Sequence, residues 1–290
     1  MGIELGRVGI WQRELRFHDD RGAAAAAAAE LEDLGFSALW VPDAGGDVFG
    51  VVEELLAATR TIRVPTGVLN IWMHDPADVV AGWARIEQRY PGRFSPGFGA
   101  SHASLVNERQ PGLYRRPLSR MIEFLDAIDA EVPTIPRERR MLAALGPKML
   151  ELARERTGGA HPYLVNPAHT RMAREALGPD RVLAPEQAVL LEADATRARE
   201  QAHAFVADYL RLPNYVNNLL RLGFAEDEVR DSGSRRLAEA LVVWGDEQAI
   251  ADRVAEHFAA GADHVCIQVV GGDGRFPHEE WRRLAPALIG

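Results

Sequence analysis

Gly146-Pro147-Lys148 stands where an apolar run gives way to a helical pattern, and ligand chemistry is expected there first. A small residue before a helix leaves the first N–H groups and the positive end of the dipole free for an anion. Lys148 is the only lysine among 33 basic residues and would add a point charge at the first turn. The same residues also read as a plain helix start with a solvated lysine. His102 and His161 titrate near neutrality and suit proton transfer, or equally a structural hydrogen bond. Asp43, after an apolar run, either binds a ligand or caps the next helix. Gly97 and Gly99 let backbone approach a flat ring, or only make a turn. The cluster Arg137-Glu138-Arg139-Arg140 is a solvated loop unless the ligand carries several negative charges.

Several chemistries are excluded. One cysteine, Cys266, forbids an intramolecular disulfide and any multi-cysteine metal cluster. The histidines show no metal spacing, and neither a GxSxG elbow nor a phosphate loop occurs. With 33 basic and 42 acidic residues the net charge is −9, which gives no general pull toward nucleic acid or an anionic membrane. No apolar run approaches the length of a membrane span; the alanines of 23–29 soon meet Glu30 and Glu32. With no charged leader at the start, the expectation is a cytoplasmic protein without a metal.

These residues need a frame to hold them at strand ends. Short β-rich runs at 8–11, 37–41, 62–69, 94–99, 140–145, 160–165, 182–191 and 263–270 alternate with helical patterns. The helices are expected at 23–34, 48–59, 76–90, 117–130, 148–156, 167–177, 250–258 and 281–288, several closed by glycine. Eight such units predict an α/β fold, a (β/α)8 TIM barrel spanning 1–290 as a single domain. A doubly wound sheet would need a glycine-rich turn after the first strand, where this chain has Gln12-Arg13-Glu14. More helix than one crossover requires lies at about 195–245, read as a helical insertion between strands 7 and 8.

Several stretches together resemble the luciferase-like monooxygenase superfamily. They are LEDLGFSALWVPD at 31–43, TGVLNIWMHDP at 66–76, PGRFSPGFGASH at 91–102, LAALGPKMLELARERTGGAHPYLV at 142–165 and AGADHVCIQVV at 260–270. With LPNYVNNLLRLGF at 212–224, the resemblance points to an actinobacterial branch of coenzyme F420-dependent oxidoreductases.

The resemblance implies a barrel holding a deazaflavin, coenzyme F420, or alternatively FMN, over its C-terminal face. Gly67-Val68 matches the pair that forms a non-prolyl cis peptide behind the ring in that family. Leu145, Gly146 and Lys148 match its phosphate-binding turn. Asp43, Asn70, Gly99 and Ser101 join them as cofactor-binding residues, with Asp43, His102 and His161 as the catalytic set. In relatives where an acid and a histidine sit together after strand 2, the histidine would fall at Ala44 here, so His102 or His161 would have to substitute. The expected activity is hydride transfer between the deazaflavin and a small organic substrate by a homodimer, Arg139 and Arg140 helping to meet the anionic tail. The alternatives are an FMN-dependent monooxygenase and a non-catalytic flavin-binding barrel.

Overall fold

The computed structural model describes residues 2–272 and 274–290. The first half runs β1 (Val8–Trp11), α1 (Glu14–Phe17), α2 (Arg21–Asp33), β2 (Ala38–Trp40), α3 (Val48–Ala57), β3 (Leu69–Asn70), α4 (Pro76–Arg89), β4 (Gly97–Gly99), α5 (Ala103–Arg109) and α6 (Pro117–Ala130). It continues with β5 (Met141–Leu142), α7 (Pro147–Arg156), β6 (Gly159–Ala160), α8 (Pro167–Leu177), β7 (Val182–Leu183) and β8 (Glu186–Leu190). The last part holds α9 (Ala195–Tyr209), α10 (Pro213–Arg221), α11 (Arg235–Leu241), β9 (Val242–Trp244), α12 (Glu247–Ala259), β10 (Val265–Val269) and α13 (His278–Ile289).

All strand pairs are parallel, in the orders β2-β1-β10-β8-β9 and β3-β4-β5-β6-β7. Single bridges from Ala38 to Arg63 and from Val41 to Thr66 join the two groups on one side. On the other side they are joined by β7 and β8, the two halves of one expected strand. Pro185, which has no N–H for the ladder, separates these halves, yet its carbonyl still accepts from Cys266 N. The strands therefore close around a common interior, the α/β arrangement of a TIM barrel. Between β8 and α12 the chain adds α9, α10, α11 and the extra strand β9, which pairs with the outer end of β8.

The expected third strand is present as backbone: Leu39 N donates to Arg63 O, and Thr66 N to Ser95 O. Regular pairing is confined to its end at β3. Side chains that alternate along the strands explain the core. Ile10, Leu39, Leu69, Phe98, Leu142 and Ile267 face the helices and are buried. In α2, the stripe Ala24, Ala27, Ala28 and Leu31 is buried at helical spacing. The helices start on side-chain caps: Asp20 accepts from Ala23 N, Asp47 from Gly50 N and Asp75 from Ala77 N. No helix among the described residues is long and apolar enough to cross a membrane.

Candidate active site

A cavity of about 680 Å³ opens over the C-terminal ends of the strands. Its floor and near wall are small or backbone-rich: Gly67, Val68, Gly99, Ala143, Ala144 and Gly146. The Gly67–Val68 peptide bond is cis, at the pair the sequence picked out. The glycines of the fourth strand have reasons of their own. A Cβ at Gly97 would lie 2.3 Å from Thr66 O, and one at Gly99 would lie 2.3 Å from Val68 Cγ2. Gly97 therefore serves packing inside the barrel, while Gly99 makes room for Val68 and still borders the cavity.

Asp43 lies at the end of the second strand with its side chain fully buried. Its Oδ2 accepts from Asn70 N at 3.0 Å and stands 2.7 Å from His74 Nε2; its Oδ1 accepts from Gly45 N at 3.0 Å. Burial pushes this carboxyl up, but the bonds from His74, Asn70 and Gly45 outweigh it and hold the group below its ordinary value. Asp43 is therefore an ionised, immobilised carboxylate at the cavity wall. The sequence left its histidine partner vacant at Ala44; the fold supplies it from residue 74. The ends of the second and third strands are neighbours in the barrel, and that adjacency was the signal available.

The two candidate catalytic histidines are placed differently. His102 immediately precedes α5 without a side-chain capping bond, borders the cavity, and lies 5.1 Å from the ring of Tyr215. Burial lowers it to about 4, which favours the neutral imidazole at physiological pH. His161 borders the cavity beneath Gly67, almost fully buried and stacked on Trp40 at 3.9 Å between centroids. Its Nδ1–H donates to Ala184 O at 2.7 Å, and burial again lowers it to about 4. Its Nε2 faces Gly67 and has no hydrogen-bond partner. Trp40 in turn donates from Nε1 to His264 Nε2 at 3.1 Å, so His161 belongs to a polar column filling the barrel.

At the fifth strand, α7 begins on Gly146 with no side-chain cap, and Leu145 and Gly146 border the cavity. A second cation joins the expected one there. Lys148 is exposed and does not line the cavity, whereas Arg221 of α10 does. A Cβ on Gly146 would lie 3.4 Å from Arg221 Nη2, so the guanidinium stands directly over the uncapped helix end. Beside it Asn218 is buried with Nδ2 unpartnered, and His169 holds Leu145 O from Nε2 at 3.1 Å. Arg139 and Arg140 are corrected: they precede β5, at the opposite end of the barrel. They are committed to Glu87 and Asp129.

The far wall is aromatic. Tyr163 donates its hydroxyl to Gln268 Oε1 at 2.7 Å and therefore accepts from Tyr209, 2.6 Å away. Tyr215 packs edge-on against Tyr209 at 5.4 Å and makes no hydrogen bond from its hydroxyl among the described residues. Burial raises Tyr209 to about 12 and Tyr163 and Tyr215 well above the ordinary range, so all three keep their protons. Under them Glu186 is fully buried, its Oε2 accepting from Leu164 N at 3.0 Å and its Oε1 unpartnered. Burial pushes Glu186 up to about 8. Ser101, at φ 56°, takes Asn214 Nδ2 on its carbonyl at 3.0 Å, which ties α10 down across the cavity. Sequence reading missed His74, Arg221 and the tyrosines as site residues; Arg221 and Tyr215 lay in the 212–224 stretch, noted there only as a family mark. No group of three metal-ligating side chains occurs among the described residues.

The sequence profile of the luciferase-like monooxygenase family matches residues 10–264, and the chain belongs to that family. Over 165 residues it is 29% identical to a 5,10-methylenetetrahydromethanopterin reductase of Archaeoglobus fulgidus. That match covers 48% of this chain and 48% of the relative, so it spans about half the length of each. Among solved structures, an F420-dependent secondary alcohol dehydrogenase in complex with an F420-acetone adduct superposes with a TM-score of 0.76 at 16% identity. It covers 98% of this chain and 99% of that one. The FMN-bound oxygenating constituent of 3,6-diketocamphane monooxygenase from Pseudomonas putida gives a TM-score of 0.67 at 11% identity, covering 97% and 96%. These two likenesses establish the shared barrel. Relatives of the chain thus use F420 or FMN.

Proposed function

We propose that this luciferase-like oxidoreductase is F420-dependent and transfers hydride between the deazaflavin and a small organic substrate. The observation that carries the reading is the uncapped start of α7 under Arg221, facing a cavity with a flat floor of small residues. The cavity's size falls within the range of about 300–1,000 Å³ common for cofactor sites. An anionic tail fits the free N–H groups and the guanidinium together. The likeness to an F420-dependent secondary alcohol dehydrogenase supports the choice of ring.

Gly67, Val68, Asn70, Gly99 and Ser101 would frame the ring, while Leu145, Gly146 and Arg221 would hold the phosphate. A deazaflavin has carbon where a flavin has N5, so when bound it supplies hydride and does not readily activate oxygen. The chain's own part is to exclude water, orient the substrate and hold protons. Asp43 stays ionised and can accept a hydrogen bond or stabilise positive charge. Neutral His102 offers an acceptor. Tyr215, protonated and with no hydroxyl partner among the described residues, offers the donor for a substrate oxygen.

The second reading is an FMN-dependent monooxygenase, which the family's own description and the FMN-bound relative favour. Oxygen uptake separates the two. With reduced FMN in air, the proposed enzyme consumes oxygen no faster than free reduced FMN; substrate-dependent acceleration would replace hydride transfer with monooxygenation.

A further inference from the structure

A second cavity of about 360 Å³ opens over the ends of β1, β8 and β10, across the barrel from β4 and β5. Two glutamines that line it are more than nine-tenths buried, Gln12 at 7% and Gln268 at 8% exposure. Gln12 gives its Nε2 hydrogen to Glu14, which leaves its Oε1 buried without a partner. Gln268 has Oε1 occupied by the Tyr163 hydroxyl, and its amide hydrogens have no partner among the described residues. The Gln268 amide therefore offers a donor to this space, while Gln12 closes the wall with an Oε1 that is itself covered.

From α9 come Gln201 and, one turn on, the ring of Phe205. Gly271 makes this possible: a Cβ there would lie 2.5 Å from Gln201 Oε1. The rim carries both signs, Arg13 and Arg275 against Glu14, Glu192 and Glu280, and Glu192 is paired with Arg197. Planar amides around an apolar ring face, with no dominant charge, suit a ligand that donates and accepts from adjacent atoms while presenting C–H surface.

We propose that this second cavity, built on Gln12, Gln268, Gln201 and Phe205, binds a neutral, hydroxyl-rich ligand such as a sugar ring or open-chain polyol. Each hydroxyl can take from the Gln268 amide or exchange hydrogen bonds with the Gln201 carboxamide, and the C–H face packs on Phe205. The Gln268–Tyr163 bond joins this occupant to the wall of the main cavity. The same hydroxyl chemistry occurs in a free sugar and in the ribityl chain of a flavin or deazaflavin, and competition distinguishes them.

The test is calorimetric titration of the full-length chain with D-glucose and with D-sorbitol. Saturable millimolar binding is expected, weakened at least about fivefold in Gln201→Ala and in Phe205→Ala. Gln201 is only partly buried on a helix, so its alanine variant should fold, and thermal unfolding verifies this. Binding unchanged by saturating FMN supports a separate site; displacement by FMN assigns the hydroxyl chain to the cofactor and overturns the proposal. Absence of saturation up to about 50 mM, or equal affinities in wild type and both variants, also overturns it.

Discussion

His74 Nε2 lies 2.7 Å from Asp43 Oδ2, joining the ends of two neighbouring strands across 31 residues of sequence. The pair fixes a carboxylate whose side chain is fully buried. Removing one partner of a buried polar group costs about 1–3 kcal/mol. His74→Ala should lower the unfolding free energy at pH 7 by that amount, read by urea denaturation. Asp43 is held below its ordinary value of 3.8, so its contribution is present above that value and is lost as pH falls through the folded-state value. The variant should lose part of this acid dependence. A change within about 0.5 kcal/mol, typical of a surface substitution, would mean that the pair is not structural.

Acid should unfold the protein early. Burial lowers His102, His161, His169 and His264 to about 4 and His257 to about 3, from an ordinary value of 6.5. These groups are neutral when folded and take up protons on unfolding, so stability is lost as pH falls below 6.5. Unfolding free energies from urea denaturation should fall steadily from pH 7 to pH 5, by on the order of several kcal/mol in total. A flat profile would show that the histidines are more hydrated than their burial implies.

Glu186 works in the opposite direction. Its folded value is raised from 4.5 to about 8, so its contribution to stability is complete below 4.5 and is lost as pH rises toward 8. Glu186→Gln keeps an acceptor for Leu164 N without the titrating proton. Relative to that variant, the wild type should lose on the order of a few kcal/mol between pH 5 and pH 8. Parallel curves would place the carboxyl in contact with water.

Two cations compete for the role at α7, and they can be ranked. Arg221→Ala should weaken binding of an anionic cofactor about tenfold, the size of one charge-assisted hydrogen bond, and reduce its salt dependence. Lys148→Ala, at an exposed position off the cavity, should change affinity less than about threefold. Fluorescence titrations at low and high salt read both. The reverse order would return the anion to Lys148.

The barrel was legible because each strand and helix carries its own period and stop signals, as in the alanine stripe of α2 and the cap at Asp75. Where proline interrupts a ladder, at Pro185, one expected strand became two. The site was legible only where chemistry and chain neighbours coincide: Gly67-Val68, Gly146 and Asp43 all line the cavity. Partners brought together by the fold escaped a linear reading. His74 reaches Asp43 from the next strand, and Arg221 reaches Gly146 from a helix 75 positions away in sequence, 221 minus 146. Residue type alone also gave no sign that His161 would be stacked on Trp40, where burial lowers it to about 4.

Titration of the apo-protein with F420 and, in parallel, with FMN, following the fluorescence of each ring, decides which cofactor the cavity holds. Micromolar binding of F420 is expected, with FMN at least about tenfold weaker. Preference for FMN, or binding of neither, would contradict F420 dependence.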